Sequence, residues 1–153
     1  MTAPLQDDQD GAEPASNSVA AMNLFRLGRL LNSADYTQKA EDIVKLYART
    51  LDQLPHALPA MVEALLHHHQ ADPLIVITGD PATNPILAHV HTHHYPGHGL
   101  IGTGDLVRSR HPLLSSTELE TGDGAYLLKD DNLSQFASSV EQFLEILNSY
   151  VKK

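Results

Sequence analysis

The segment from residue 8 to residue 31, DQDGAEPASNSVAAMNLFRLGRLL, joins an acidic, turn-prone entry to a long apolar run. The run predicts a helix from about Ser16 to Leu31, with Ser16 or Asn17 as its N-cap. Its apolar residues cover more than one face, which predicts a helix that packs on several sides. The rest of the chain supplies few elements to surround such a helix, so the segment indicates missing neighbours.

The composition narrows the class of protein. The chain has 153 residues, 42% of them hydrophobic, which is enough for a folded core. Ten basic against nineteen acidic residues give a net charge of −9, which argues against nucleic acid and anionic membranes as partners. The sequence contains no cysteine, so disulfides, thiolate metal sites and cysteine nucleophiles are excluded.

Further helices and a small α/β part follow the first helix. Two helices are predicted at about Tyr36–Leu54 and Pro59–His69. A β-branched run predicts a buried strand at Leu74–Thr78. A helix near residues 85–94 and a strand at 100–101 then predict a right-handed βαβ unit.

The last third of the sequence alternates loops with short elements. Residues 102–123 are predicted to be loops, 125–128 a third strand, and 133–151 an amphipathic helix. The predicted fold class is therefore mainly α with a small α/β part. The predicted divisions are an irregular lead-in at 1–14, a helical hairpin plus a third helix at 15–70, and the α/β part with its C-terminal helix at 71–153.

Three stretches resemble the C-terminal region of the spermatogenesis-associated protein 20 family, which includes bacterial YyaL-type proteins. They are DDQDGAEPASNSVAAMNLFRLGRL, LPHALPAMVEALL and LIVITGDP, in that order and spacing. The resemblance covers about residues 5–128 and is strongest over residues 9–30. Full-length members carry an N-terminal thioredoxin-like domain and an (α/α)6 toroid of the six-hairpin glycosidase type, similar to N-acylglucosamine 2-epimerases.

The resemblance implies a partial member of this family. Residues 15–70 would be the last helical hairpins of the toroid, and residues 71–153 a short βαβ-type appendage followed by the C-terminal helix. The thioredoxin-like domain and most of the toroid have no counterpart here. The cysteine pair that family members often carry after the segment matching Ala125-Tyr126 is absent, and the histidine cluster at 89–98 is not part of the family pattern.

Asp10 and Glu13 are the candidate catalytic residues. The resemblance implies that they face a central pocket, where carboxylates act as general acid and base on sugars. The alternative is electrostatic, because acids near a helix start interact favourably with the helix dipole by about 0.3–1 kcal/mol. Asn17 has the same two interpretations, a hydrogen bond to a substrate hydroxyl or a helix cap.

Two histidine clusters raise the question of a metal. His67–His69 ends the predicted third helix, where adjacent side chains point in different directions, so a structural role is favoured. In HVHTHHYPGH, His89 and His93 are four residues apart and could share a metal ion on a helix. The zincin motif HExxH is absent there, and a solvated helix end is the favoured alternative. No metal site and no cofactor are predicted.

Three functions are compatible with these observations. The first is that the chain forms one wall of a carbohydrate-processing toroid, which would bind a sugar-like small molecule only when complete and would not be catalytic alone. Alternatively it is a non-catalytic interaction module whose apolar first helix docks on a protein partner, and a histidine-cluster metal binder is a third, weaker reading. The start of the sequence, MTAPLQDDQD, lacks the features of a secretory signal, so a cytoplasmic location is expected.

Overall fold

The computed structural model describes residues 9–70, 73–95, 98–129 and 131–151. Residues 1–8 of the predicted lead-in and the Pro96-Gly97 turn of the histidine cluster lie outside these ranges. The chain forms two compact units, residues 1–70 and residues 71–153, which are called here the helical unit and the α/β unit.

The helical unit follows the sequence pattern closely. Its elements are α1 (Ser16–Leu30), α2 (Ala34–Leu46), α3 (Ala48–Gln53), a 3₁₀ turn (Pro55–Ala57) and α4 (Pro59–Gln70). The predicted first and third helices are confirmed. The predicted second helix is divided at Tyr47, where the backbone leaves the helical region with φ −101° and ψ 6°.

Helix α1 buries a single stripe against α2 and α4. The buried positions are spaced by three or four residues, as one face of a helix requires: Ser18, Ala21, Phe25 and Gly28. Phe25 packs with Ala40 of α2 and Ala64 of α4. A Cβ at Gly28 would collide with the Thr37 side chain, so the absence of a side chain lets α1 and α2 approach closely. Within this chain α1 therefore buries one face rather than several.

The α/β unit contains a four-stranded mixed sheet. Its elements are β1 (Leu74–Thr78), α5 (Pro85–Thr92), β2 (Gly99–Gly102), α6 (Asp105–Arg110), α7 (Pro112–Ser116), β3 (Gly124–Lys129), β4 (Asn132–Leu133) and α8 (Val140–Val151). The strand order is β2-β1-β3-β4. Strand β1 is parallel to β2 and antiparallel to β3, and β3 is antiparallel to β4. The predicted βαβ unit and third strand are confirmed.

Two predictions for this unit are wrong. The segment 102–123 is not all loop, because it includes the short helices α6 and α7. The last helix begins at Val140 instead of Leu133. Leu133 pairs with Leu128 in the sheet, and Ala137 forms a bridge to Ala125, so long-range strand pairing replaces the local helical pattern.

The core of the α/β unit lies between the sheet and the helices α5 and α8. Alternate residues of β1 and β3 point to this face, as the period of a strand requires. The buried members of the core are Ile75, Ile77, Ile86, Ala125, Leu127, Ala137, Phe143 and Leu147. Within the described ranges, no helix has both the length and the apolar character needed to cross a membrane.

Candidate functional site

Asp10 connects the starts of two helices in the helical unit. Its Oδ1 accepts a hydrogen bond of 2.7 Å from the backbone N–H of Ala15, the residue before α1. Its Oδ2 accepts one of 2.8 Å from the N–H of Ala60, the second residue of α4. Its own N–H donates to the carbonyl of Ala57 at 2.8 Å. A carboxylate near a helix N-terminus stabilises the helix, and the single carboxylate of Asp10 does so for both α1 and α4.

Glu13 has quite different surroundings. Its side chain is exposed, and in the described part of the chain its carboxylate makes no hydrogen bond or ion pair. Its backbone carbonyl accepts a hydrogen bond of 3.0 Å from Gly11. The two candidate catalytic residues are therefore unlike each other: Asp10 is engaged by backbone groups, whereas Glu13 is open to solvent. Their catalytic role stays a prediction.

The predicted N-cap of α1 is wrong. The capping position is Ala15, whose side chain cannot accept a hydrogen bond, and Asp10 supplies the carboxylate nearby. Asn17 instead donates from its amide to the hydroxyl of Tyr47. This bond joins α1 to the interruption between α2 and α3.

The histidines that end α4 have structural contacts. The ring of His68 stacks on Phe25, with 4.2 Å between the ring centroids and 20° between their planes. Burial, and next the neighbouring charge of His69, lower the pKa of His68, so the neutral form is favoured there. His67 lies 3.6 Å from a carboxylate oxygen of Glu63.

The second histidine cluster is organised around Tyr95. The His89 and His93 rings stack with 3.9 Å between their centroids, and His89 Nε2 lies 2.8 Å from the Tyr95 hydroxyl. The His93 Nδ1 atom faces the Thr92 hydroxyl and the His89 carbonyl, each at 3.0 Å. Across the described ranges, no three histidine, aspartate or glutamate side chains are placed to hold one metal ion.

A polar cleft of about 530 Å³ opens at one end of the sheet. It lies at the carboxyl ends of the parallel strands β1 and β2, where α/β proteins commonly bind ligands. The residues around it come from four segments of the α/β unit and include Gly79, Asp80, Thr103, Arg108, Glu120 and Asp123. Gly79 and Asp80, which follow β1, and Thr103, from the segment 102–123 that was predicted to be loops, contribute to this cleft.

Asp123 connects the segment before β3 to the loop after β1 at this cleft. Its Oδ1 accepts a hydrogen bond of 2.8 Å from the backbone N–H of Asp80, and its Oδ2 accepts one of 2.6 Å from the Thr83 hydroxyl. The Thr83 bond first, and the Asp80 bond second, lower the pKa of Asp123 because both favour the charged form. Gly79, with φ +78°, lies so close to Asp123 that a Cβ would overlap its backbone.

The buried side chain of Asn84 also connects the end of β1 to the start of β3. Its side chain is 2% exposed. The amide donates to the carbonyls of Thr78 and Gly124 at 2.8 and 2.9 Å. Its oxygen accepts from Ile86 and Leu87 at 2.9 and 3.0 Å, which caps α5. All four hydrogen bonds available to an amide side chain of this kind are made.

Arg108, Asn84 and Asp123 are not among the candidate residues that the sequence provides. Asn84 had a recognisable signal, because asparagine before Pro85 is the usual sequence of a capped helix start. Arg108 and Asp123 could be found only through the principle that loops at the carboxyl ends of parallel strands lie close together. Applying it requires that the order of the strands be known.

Comparison with known proteins relates the chain to one family. Spermatogenesis-associated protein 20 of Rattus norvegicus is 42% identical over 100 residues, which are 63% of this chain and 13% of the relative. The Homo sapiens protein of the same name is 39% identical over 100 residues, again 63% of this chain and 13% of the relative. An uncharacterized protein of Caenorhabditis elegans is 39% identical over 75 residues, which are 49% of this chain and 10% of the relative. No family model and no solved structure matches the chain.

The structure contains a helical unit and a mixed α/β unit. In each unit the carboxylate of one aspartate, Asp10 or Asp123, accepts hydrogen bonds from two other residues. By its sequence, 63% of the chain is homologous to one region of the proteins of the spermatogenesis-associated protein 20 family. It spans about an eighth of the length of these curated relatives, 13% in each case.

Proposed function

We propose that the helical unit is a non-catalytic interaction module that forms part of a larger helical domain. The observation that carries this proposal is the exposure of large apolar side chains. Leu46 is 82% exposed, Leu66 54% and Leu54 47%. Single exposed leucines are ordinary on protein surfaces, but here they occur on three of the four helical segments or their ends, beside a helix that buries one face only.

Helix α1 supports the same proposal. Val19 and Leu27 are 41% and 40% exposed, although both lie in its long apolar run. Fully burying a valine or leucine side chain contributes roughly 1.5–3 kcal/mol, so covering several of them would be a substantial driving force.

The proposed occupant of these surfaces is a set of helices from a family protein. The relatives that match this chain are far longer than the matched segment, which makes up 13% of the rat protein. Helices from the remainder of such a protein are the partner that this segment would contact within one fold. A second copy of this chain is the competing occupant.

The test uses the rat relative without its matching segment. That truncated relative is mixed with this chain, and binding is measured by isothermal titration calorimetry. The comparison variant replaces Leu46, Leu54 and Leu66 with glutamine, which removes apolar side chains without touching the buried stripe of α1. A matched control replaces Thr50, Asp52 and Gln53, which are not large apolar residues, with alanine.

Binding that the leucine variant abolishes and the control keeps would support the proposal. No binding by the unmodified chain, or equal binding by both variants, would contradict it. Light scattering gives the self-association of the chain alone. A dimer that the leucine substitutions dissociate would identify a second copy as the occupant instead.

A second candidate function is that the helical unit forms one wall of a carbohydrate-processing toroid. In such a toroid Asp10 would set the positions of α1 and α4, because its oxygens accept from both helix starts. Glu13 would be the carboxylate left free for a sugar. In a full-length relative, replacing the residue aligned with Glu13 by glutamine should then lower sugar binding, measured by calorimetry, while thermal unfolding stays the same. Unchanged sugar binding would contradict this role.

A further inference from the structure

We propose that His111 makes the α6–α7 segment, residues 105–117, a pH-sensitive cover on one face of the sheet. The segment is closed while the imidazole of His111 is neutral and opens when that imidazole is protonated. This proposal concerns the α/β unit and is independent of the function proposed for the helical unit. It rests on the face that the segment covers, the place of His111 between two helices and the hydrogen bond that its ring accepts.

The sheet has a second apolar face, opposite the face that α5 and α8 cover. Val76 is paired with Ile101 on one side and with Tyr126 on the other, so the three side chains project to this second face. All three residues are buried. The chain after α7 reaches this face, because the N–H of Glu120 donates to the Tyr126 hydroxyl at 2.9 Å. Helix α7 itself contributes Leu114, which is fully buried, so we assign the α6–α7 segment as the cover.

His111 lies at the junction of α6 and α7. Its N–H donates to the carbonyl of Val107 in α6 at 3.0 Å, and its carbonyl accepts from the N–H of Ser115 in α7 at 3.0 Å. The residue is only 1% exposed. Its ring Nδ1 accepts a hydrogen bond of 3.5 Å from the N–H of Leu114, which caps the start of α7. A change at this side chain therefore affects both helices.

Protonation converts the acceptor of this hydrogen bond into a donor. Both ring nitrogens of an imidazolium carry a hydrogen, so Nδ1 would face the N–H of Leu114 as a second donor and the cap would be lost. Burial lowers the pKa of His111, against the opposing effects of Asp131 and of the His111 backbone, so the neutral form is favoured in the closed segment. The dipoles of α6 and α7 have opposite signs at His111 and offset each other.

The charged groups around His111 compensate its positive charge only in part. Asp131, between β3 and β4, is the carboxylate that favours the charged form. Helix α6 has two basic residues against one acidic residue: Arg108, Arg110 and Asp105. By their sequences α7, β1 and β2 contain no charged residue, and Lys129 at the end of β3 alternates with Leu128 and so belongs to the opposite face. An opened segment, in which water solvates the imidazolium, is therefore favoured on acidification.

The pH range of the opening follows from the sign of this effect. Because the pKa of His111 is lower in the closed segment than its ordinary value of about 6.5, the stabilisation is complete above that pH and is lost as the pH falls below it. If the closed segment excludes the proton entirely, the equilibrium constant for opening increases about tenfold between pH 7.5 and pH 5.5. A tenfold change is therefore the upper limit for this one histidine.

The experiment measures native-state hydrogen exchange by NMR on the full 153-residue chain, labelled with ¹⁵N, at pH 7.5 and pH 5.5. Each rate is corrected for the pH dependence of exchange in an unstructured peptide. The probes are the amides of Ser115 and Thr117, which donate within α7, and the amide of Phe143 at the start of α8 is the reference. Protection at Ser115 and Thr117 should fall by up to about tenfold on acidification, while Phe143 keeps its protection.

Two variants and one control identify the titrating group. In His111→Asn the side-chain oxygen can still accept from Leu114 as an N-cap but does not titrate, so the pH response should disappear. His56→Asn makes the same change at an exposed histidine and should leave the response in place. Asp131→Asn removes the carboxylate that favours protonation, and asparagine tolerates the φ of +60° at that position. This variant should bring the response closer to the tenfold limit.

A loss of protection that His111→Asn removes and His56→Asn keeps would support the proposal. The same loss in His111→Asn would assign the acid sensitivity to another group and overturn it. An equal loss at Phe143 would show that the whole α/β unit opens, and unchanged protection at Ser115 and Thr117 would show that nothing opens; either result overturns it. Asp131→Asn tests the same point without altering His111, since an unchanged response there would contradict the proposal. None of these results affects the interaction proposed for the helical unit.

Discussion

Asp10 and Asp123 each accept one hydrogen bond at either carboxylate oxygen, but they connect different numbers of segments. The donors to Asp10 are Ala15 and Ala60, which lie at the starts of two helices, whereas the donors to Asp123 are Asp80 and Thr83, which lie in one loop. In the helical unit, no second side chain among the described residues repeats this link. In the α/β unit, the buried Asn84 ties neighbouring positions of the same segments. The difference predicts that loss of Asp123 alone is tolerated better than loss of Asp10, because Asn84 still connects the same region.

The largest effect is expected from Asn84→Ala. The substitution leaves two N–H groups and two carbonyls without partners in a buried site, at a net cost of about 1 kcal/mol each and about 4 kcal/mol in total. Urea unfolding followed by circular dichroism, with hydrogen exchange at Ile86 and Leu87, measures the loss. Asn148→Ala on the exposed face of α8 is the control. A loss below about 1 kcal/mol would mean that Asp123 alone can hold the junction.

The next largest effect is expected from Asp10→Ala. Two hydrogen bonds to a charged acceptor are lost at two helix starts, which we expect to cost about 3 kcal/mol in the free energy of unfolding of the helical unit. Hydrogen exchange should accelerate at Ala15 and Ala60, which donate these bonds. Unchanged exchange at Ala60 would show that Asp10 does not connect α4 to the rest of the unit.

A pH dependence is expected from Asp123. Its pKa is lower in the folded chain than its ordinary value, so its contribution to stability is complete above a pH of about 4 and is lost as the pH falls through the lowered pKa. Asp123→Asn should therefore flatten the loss of stability on acidification. The measurement is thermal unfolding between pH 6 and pH 3, with Asp52→Asn as control. Parallel pH profiles for the variant and the unmodified chain would contradict this.

The smallest effect is expected from Glu13→Gln. The side chain is exposed, so the free energy of unfolding should change by less than about 0.5 kcal/mol. Chemical denaturation of this variant beside Asp10→Ala would show whether only one of the two acids stabilises the fold. A loss as large as that of Asp10→Ala would mean that Glu13 has a structural partner as well.

The sequence predicts those elements whose stabilisation is local. Helices α1 and α4 and strand β1 begin and end within about one residue of their predicted bounds, because periodicity, Pro59 and the flanking turns mark them. The predicted helix from Leu133 to Val151 was too long for a non-local reason. Residues 132–137 satisfy an amphipathic pattern, yet their pairing with β3 removes them from α8.

The candidate site shows the same limit. An acidic residue before a helix is visible in the sequence, but the second acceptor interaction of Asp10 involves Ala60, 50 residues away. Likewise the partners of Asp123 are 40 and 43 residues distant. The sequence therefore indicated two carboxylates before α1, Asp10 and Glu13, as catalytic candidates, and could not predict that backbone groups would engage Asp10.

The bond between Asp10 and Ala60 also bears on how long the helical unit stays folded. Closing a loop of 50 residues carries an entropic cost of about 3.5 kcal/mol, so we expect this contact to form only after α1 and α4 have docked. A contact that is absent from the transition state changes the unfolding rate rather than the folding rate. Loss of about 3 kcal/mol would then shorten the native lifetime about a hundredfold, while refolding kept its speed. Asp10 would thus control the persistence of the unit more than its assembly.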